Sequence, residues 1–175
     1  KPWGGWYRRL LHCFDHIFVQ DEASYTLLTK YGVHTASVAG DTRFDRVTEV
    51  MHAAKELPII EGFVEGASRV LVAGSTWPLE EEMLARYVAE HEDVRLILVP
   101  HEIHATHMHR IFQYFEGRYI RYTQATPLTL HKCRTMVIDT MGLLSSIYRY
   151  GQVAYIGGGF GMGIHNTLEA AVYGM

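Results

Sequence analysis

Short runs of apolar residues alternate along this chain with longer stretches in which apolar positions recur every three to four residues. The first pattern is that of buried strands, the second that of amphipathic helices. Phe14–Gln20 reads as a buried strand. Asp21–Tyr31 reads as a helix closed by Gly32, with Asp21 and Glu22 favourable in its first turn. Thr35–Ala39 is a second short strand, Arg43–Glu56 a polar helix, and Leu57-Pro58 its end. Ile59–Ser68 has no clear period and holds Gly62 and Gly66.

From Arg69 the alternation becomes regular. Strands are predicted at Arg69–Ala73, Val94–Val99, Tyr119–Tyr122, Thr135–Asp139 and Gln152–Ile156. Between them lie helices at Leu79–Glu90, residues 104–116 and Leu143–Tyr150, with Gln124–Lys132 a loop. Pro78 suits the first helical position after a Gly74–Trp77 turn. Such alternation implies an α/β fold: a Rossmann-like parallel sheet with helices on both faces. Ligands then bind at the carboxyl ends of the strands. Four loops fall on that edge: Gly74–Trp77, Pro100-His101, Asp139–Gly142 and Gly157–Asn166.

The last of these is the richest in glycine. Gly157-Gly-Gly-Phe160-Gly-Met-Gly163-Ile-His165-Asn166 follows a strand and precedes a predicted helix over Asn166–Tyr173. Asn166 suits an N-cap, and Glu169 stands three residues on, as in a capping box. Glycines let backbone approach a ligand, and the first turn of a helix offers unpaired N–H groups. The unit predicts an anion site, most often for phosphate. It lacks the Gly-Lys-Ser/Thr of a Walker loop and the glycine spacing of a dinucleotide fingerprint. A tight turn followed by an ordinary capped helix remains the alternative.

Composition narrows the class. The 175 residues suffice for one large domain or one domain plus part of another. A net charge of −3 argues against binding to a nucleic-acid backbone. Cys13 and Cys133 form no metal pattern and suit a reducing compartment. No apolar run is long enough to span a bilayer, so the chain is expected to be soluble. The opening without Met and the stop at Gly174-Met175 predict a piece of a longer protein.

His101, His104, His107 and His109 invite a metal reading, but the sequence shows no carboxylate or cysteine that completes a ligand set, so no metal is expected. His101 follows a strand directly and belongs at the ligand edge. Ser75 and Thr76 read as helix caps, with a second phosphate contact as the alternative. No spacing names a nucleophile or general base. Glu169, at the third position of a helix, suits gripping ribose hydroxyls better than moving protons.

Five motifs in order complete the picture. They are Gly40-Asp-Thr-Arg-Phe-Asp45, Ala73-Gly-Ser-Thr-Trp77, Val99-Pro-His-Glu102, Asp139-Thr-Met-Gly142 with Tyr148, and Gly157-Gly-Gly…His165-Asn-Thr-Leu-Glu169. Together they resemble the 3-deoxy-D-manno-octulosonic acid (Kdo) transferases of Gram-negative bacteria. The resemblance implies a GT-B glycosyltransferase: two Rossmann-like domains with the active site between them. That family moves Kdo from CMP-Kdo onto a lipid A precursor at the cytoplasmic face of the inner membrane, with no cofactor beyond the donor. By resemblance, residues 1–40 are the tail of the acceptor domain, 41–68 a junction, and 69–175 the CMP-sugar-binding domain. Pro100, His101, Met141, Gly142, Leu143, Asn166, Thr167, Leu168 and Glu169 would line CMP. The family's general-base glutamate and membrane-facing helices lie upstream of the matched motifs, so no catalytic residue is expected here. Leu143 stands where many members have glutamate, and Gly161–Ile164 is an insertion before His165-Asn166. A nucleotide-binding α/β module without transfer activity, or a relative of sugar-nucleotide epimerases, is the competing reading.

Overall fold

A computed structural model describes residues 4–161 and 163–175. Lys1–Trp3 and Met162 of the glycine-rich run lie outside the described residues. The chain divides into two compact units, Lys1–Thr48 and Glu49–Met175.

The smaller unit holds α1 (Gly4–Leu11), β1 (Ile17–Val19), α2 (Glu22–Lys30) and β2 (Ala36–Val38). β1 and β2 pair in parallel, Ile17 opposite Ala36. Asp21 caps α2 by accepting the N–H of Ser24 at 2.7 Å, which holds its carboxyl below the usual carboxylate range. Gly32, with φ +81°, follows the end of that helix as predicted. α3 (Thr42–His52) crosses the division between the units.

The larger unit contains α4 (Pro58–Val64), β3 (Arg69–Thr76), α5 (Pro78–Glu90), β4 (Val94–Pro100), α6 (Ala105–Tyr114), β5 (Ile120–Arg121), β6 (Thr135–Val137), α7 (Leu144–Ile147), β7 (Val153–Ile156) and α8 (Leu168–Ala171). The five strands from β3 onward form one parallel sheet in the order β5-β6-β4-β3-β7. Because neighbouring residues in a strand point to opposite faces, the sheet is buried twice over. Leu71, Ala73, Leu96, Leu98 and Val137 pack with Leu84 and Val88 of α5 and Met108 and Ile111 of α6. Val70, Val72, Ile97, Val99 and Met136 pack with Ile60 and Phe63 of α4, Ile147 of α7 and Ala170 of α8. Twelve of these side chains show no more than 1% of their surface. The sheet with helices on both faces agrees with the sequence expectation.

Three local expectations are corrected. Pro58 begins a helix rather than ending one: it sits at the first turn of α4, where its missing N–H costs nothing. The stretch read as irregular therefore covers one face of the sheet. β3 runs on to Thr76, through a register irregularity between Gly74 and Thr76 where Ser75 adopts φ +54°. The helix after the glycine run is only the four residues Leu168–Ala171. Among the described residues, no helix is long and apolar enough to cross a membrane.

Candidate functional site

All five strands of the sheet are parallel, so the segments following β6, β4, β3 and β7 emerge side by side on one edge. The four loops expected there are therefore neighbours. What joins them is a set of residues that spacing alone did not reveal.

Trp77 sets the first turn. It follows the bulge at Ser75, and its backbone geometry makes it the residue that caps α5. Neither Ser75 nor Thr76 caps the helix, contrary to expectation. Thr76 is buried instead and donates its hydroxyl to Glu81 at 3.1 Å. Glu80, three residues into the turn, reaches back to accept the N–H of Trp77 at 2.9 Å, which is half of a capping box.

Glu80 does more than cap. It is fully buried and also accepts the N–H groups of Gly158 at 2.8 Å and Gly159 at 3.2 Å. The glycine-rich run thus folds over a carboxylate of its own chain. A Cβ on Gly157 would lie 2.0 Å from the carbonyl oxygen of Ser75 and 2.9 Å from Glu80 Oε2, so glycine is required there by contact rather than by dihedral angle. Of the amides in the expected phosphate cradle, the N–H groups of Gly158 and Gly159 are taken by an internal anion. Beside it, burial and the Glu80 charge push the Tyr155 phenol up.

Glu81 faces the other way. It pairs with His107 at 2.8 Å, both side chains almost entirely buried. Burial pushes its carboxyl up, against the lowering effect of His107 and Thr76. Glu102 also comes close to two of the histidines, so a carboxylate does join His104 and His107, with ligand atoms within 4.8 Å of one another. Their donor atoms are nevertheless committed. His104 Nδ1 accepts the N–H of His107 at 3.2 Å, which places the proton of the neutral ring on Nε2, facing Glu102 at 3.1 Å. His107 Nε2 faces Glu81. The cluster is an N-terminal cap for α6 backed by a buried pair.

His101 lies at the end of β4, where its N–H bonds the carbonyl of Thr76 at 3.0 Å. Its ring packs on Trp77 (centroids 4.6 Å apart) and on His165 (4.5 Å). Trp77 and His165 are within 13° of parallel, and Trp77 Nε1–H donates to His165 Nε2 at 3.2 Å. An N–H···N bond lies in the plane of both rings, so these two are joined edge to edge, with His101 against both. The His165 N–H closes the glycine-rich loop by bonding Gly157 O at 3.2 Å.

The remaining expected residues fall on the same edge in different states. Pro100 is buried in the last pair of β4 with Thr76. Met141 and Gly142 are exposed on the turn after β6, Gly142 with φ +79°. Leu143 packs onto the core beneath that turn. Asn166 and Thr167 are exposed. Asn166 Oδ1 accepts the N–H of Leu168 at 3.1 Å, and its Nδ2 donates to Glu169 at 3.1 Å. The expected capping box is thus replaced by a side-chain pair, one residue out of register. Glu169 also adds to burial in pushing the Tyr148 hydroxyl up. Tyr148 itself fills the space below Gly74, where a Cβ would meet its oxygen at 2.2 Å.

Comparison with known proteins places this edge in context. No protein-family model matches the chain. The 3-deoxy-D-manno-octulosonic acid transferase of Rickettsia prowazekii is 24% identical over 188 aligned residues, covering 99% of this chain and 39% of the relative. That of Rickettsia bellii is 21% identical over 176 residues, covering 95% and 40%. A bifunctional glycosyltransferase/methyltransferase of Fusobacterium nucleatum is 28% identical over 113 residues, 62% of this chain and 17% of the relative. The chain thus spans about two fifths of the length of the Kdo transferases it matches. Among solved structures, the C-terminal CMP-Kdo binding domain of WaaA from Acinetobacter baumannii superimposes with a TM-score of 0.54 at 21% identity, covering 76% of this chain and 68% of that one. The chain is thus similar to Kdo transferases along nearly its whole length, and its α/β fold is similar to that of the C-terminal domain from Acinetobacter baumannii.

Proposed function

We propose that this chain supplies the nucleotide-binding half of a glycosyltransferase that moves Kdo from CMP-Kdo onto a lipid A precursor at the cytoplasmic face of the inner membrane. The observation that carries the reading is similarity to Kdo transferases over 99% of the chain. The meeting of four loops at one sheet edge supports the reading. His101, the Met141-Gly142-Leu143 turn and Asn166–Glu169 line the CMP, with Pro100 fixing where His101 leaves the sheet. Residues 1–40 are the tail of the acceptor-binding domain, and the lipid and membrane contacts belong to that side of the enzyme.

Since Gly158 and Gly159 already serve Glu80, the phosphate of CMP is held by groups farther along the same loop rather than by these two amides. Calorimetric titration with CMP, UMP and AMP tests the reading. CMP is expected to bind at least about 10-fold tighter than the other two, the value of one well-placed hydrogen bond to the base. Absence of CMP binding, or equal affinity for UMP, would overturn it. Transfer itself requires both substrates held in register. Kdo transfer to a lipid A precursor by this chain alone would contradict the assignment of the acceptor and the base to other residues.

A further inference from the structure

The edge-to-edge contact between Trp77 and His165 fixes where a proton sits. An indole N–H can only donate, so His165 Nε2 must accept it, and the neutral ring carries its own proton on Nδ1. His165 Cδ2 faces the glycine loop, 3.2 Å from where a Cβ of Gly158 would stand, so Nδ1 lies on the far side of the ring. That nitrogen has no protein partner among the described residues, and it is not among the buried unpartnered atoms. It is a solvent-facing donor on a half-buried ring, clamped by the Trp77 indole on one edge, by His101 on its face and by its own amide on Gly157 O.

We infer that His165 Nδ1–H is a hydrogen-bond donor to the phosphate of the bound nucleotide, and that Trp77 is the positioning residue that holds His165 in the tautomer able to donate. The inference rests on the nucleotide reading given above and adds to it the group that takes over from the two amides engaged by Glu80. The donor faces an anionic oxygen, which CMP has and cytidine lacks.

Trp77→Phe tests it. The change keeps an aromatic ring against His101 and leaves the backbone N–H that Glu80 accepts, but it removes the indole donor. Nitrogen-15 NMR at about pH 8 reads the tautomer directly, because histidine is then mostly neutral. The His165 signals, among eleven histidines, are identified by their loss in His165→Ala. The wild type is expected to show His165 protonated on Nδ1, and Trp77→Phe a mixture of both tautomers with the rest of the amide spectrum retained. Affinity for CMP is expected to fall roughly 3- to 10-fold, the range of one net hydrogen bond. Affinity for cytidine is expected to stay the same. A wild-type His165 protonated on Nε2 would overturn the tautomer lock. An equal loss for CMP and cytidine would overturn the phosphate contact, since the effect would then be a general loosening of the site. A wild type that binds neither ligand overturns the nucleotide reading and the phosphate contact with it, while the NMR result still decides the lock by itself.

Discussion

Gly157→Ala and Gly159→Ala are near neighbours in the same loop and are expected to behave oppositely. At Gly157 the new Cβ would stand 2.0 Å from Ser75 O, 2.6 Å from Ser75 C and 2.9 Å from Glu80 Oε2. Two of those atoms are backbone at the end of a central strand, so they cannot swing away. At Gly159 the Cβ would meet nothing within 4 Å, and its dihedral is one that alanine accepts. Overpacking costs about 1–3 kcal/mol, and a clash with fixed backbone belongs at the top of that range. Gly157→Ala should therefore cost about 3 kcal/mol, lowering Tm by roughly 6–12 °C at about 2–4 °C per kcal/mol. Gly159→Ala should be neutral, or stabilise by up to about 1 kcal/mol through a stiffer unfolded chain. Thermal unfolding followed by circular dichroism measures both. Equal shifts for the two variants would refute the placement of the loop against Ser75 and Glu80.

Three further outcomes follow from the same edge. Glu169→Gln keeps an acceptor for Asn166 Nδ2, so Tm should barely move, while a ribose grip by a charged group predicts CMP affinity about 10-fold weaker by calorimetry; equal binding would make Glu169 a partner of Asn166 only. CMP affinity should be unchanged by EDTA, since the described His–Glu cluster is already satisfied within the protein; a large loss would put a metal at the site. Burial would raise the Asp139 carboxyl, but hydrogen bonds from Thr123 and Arg121 outweigh it and hold the group below the usual carboxylate range. A depressed folded pKa stabilises above the ordinary value of about 4 and loses that effect as pH falls through the folded value. Asp139→Asn should therefore cost about 2 kcal/mol in urea unfolding at pH 7, the scale of one hydrogen bond to a charged group, and less as pH falls toward 3; a pH-independent difference would refute this.

The sheet was readable from the chain because its inner strands β3, β4 and β6 are buried on both faces, which leaves continuous apolar runs such as Leu96–Val99. α4 was not, because Pro58 signals a stop to a preceding helix as readily as a start to the next one. Its short length also left too few turns for a period to show. His101 could be placed at the site because a strand end is a local feature. Its partners Trp77 and His165 are 88 residues apart, and nothing in either neighbourhood announces the other. Glu80 is the plainest case. An acidic residue in the first turn of a helix looks like a solvated cap, and only the return of the chain at Gly158, 78 residues later, buries it. Glu102 is likewise silent in the sequence, since its approach to His104 and His107 depends on how β4 turns into α6.

That long return has a consequence for how the chain is made. β3, β4 and β6 leave the ribosome before β7 does, and they can pair with one another without it. Until Gly158 and Gly159 arrive, Glu80 keeps its bond to Trp77 but must stay hydrated, because a carboxylate short of donors is costly to bury. Docking of β7 against β3 closes a loop of 82 residues and dries the carboxylate in the same event. Until β7 docks, the flank of β3 beside Glu80 is therefore expected to stay hydrated, and the glycines that follow β7 are what close it.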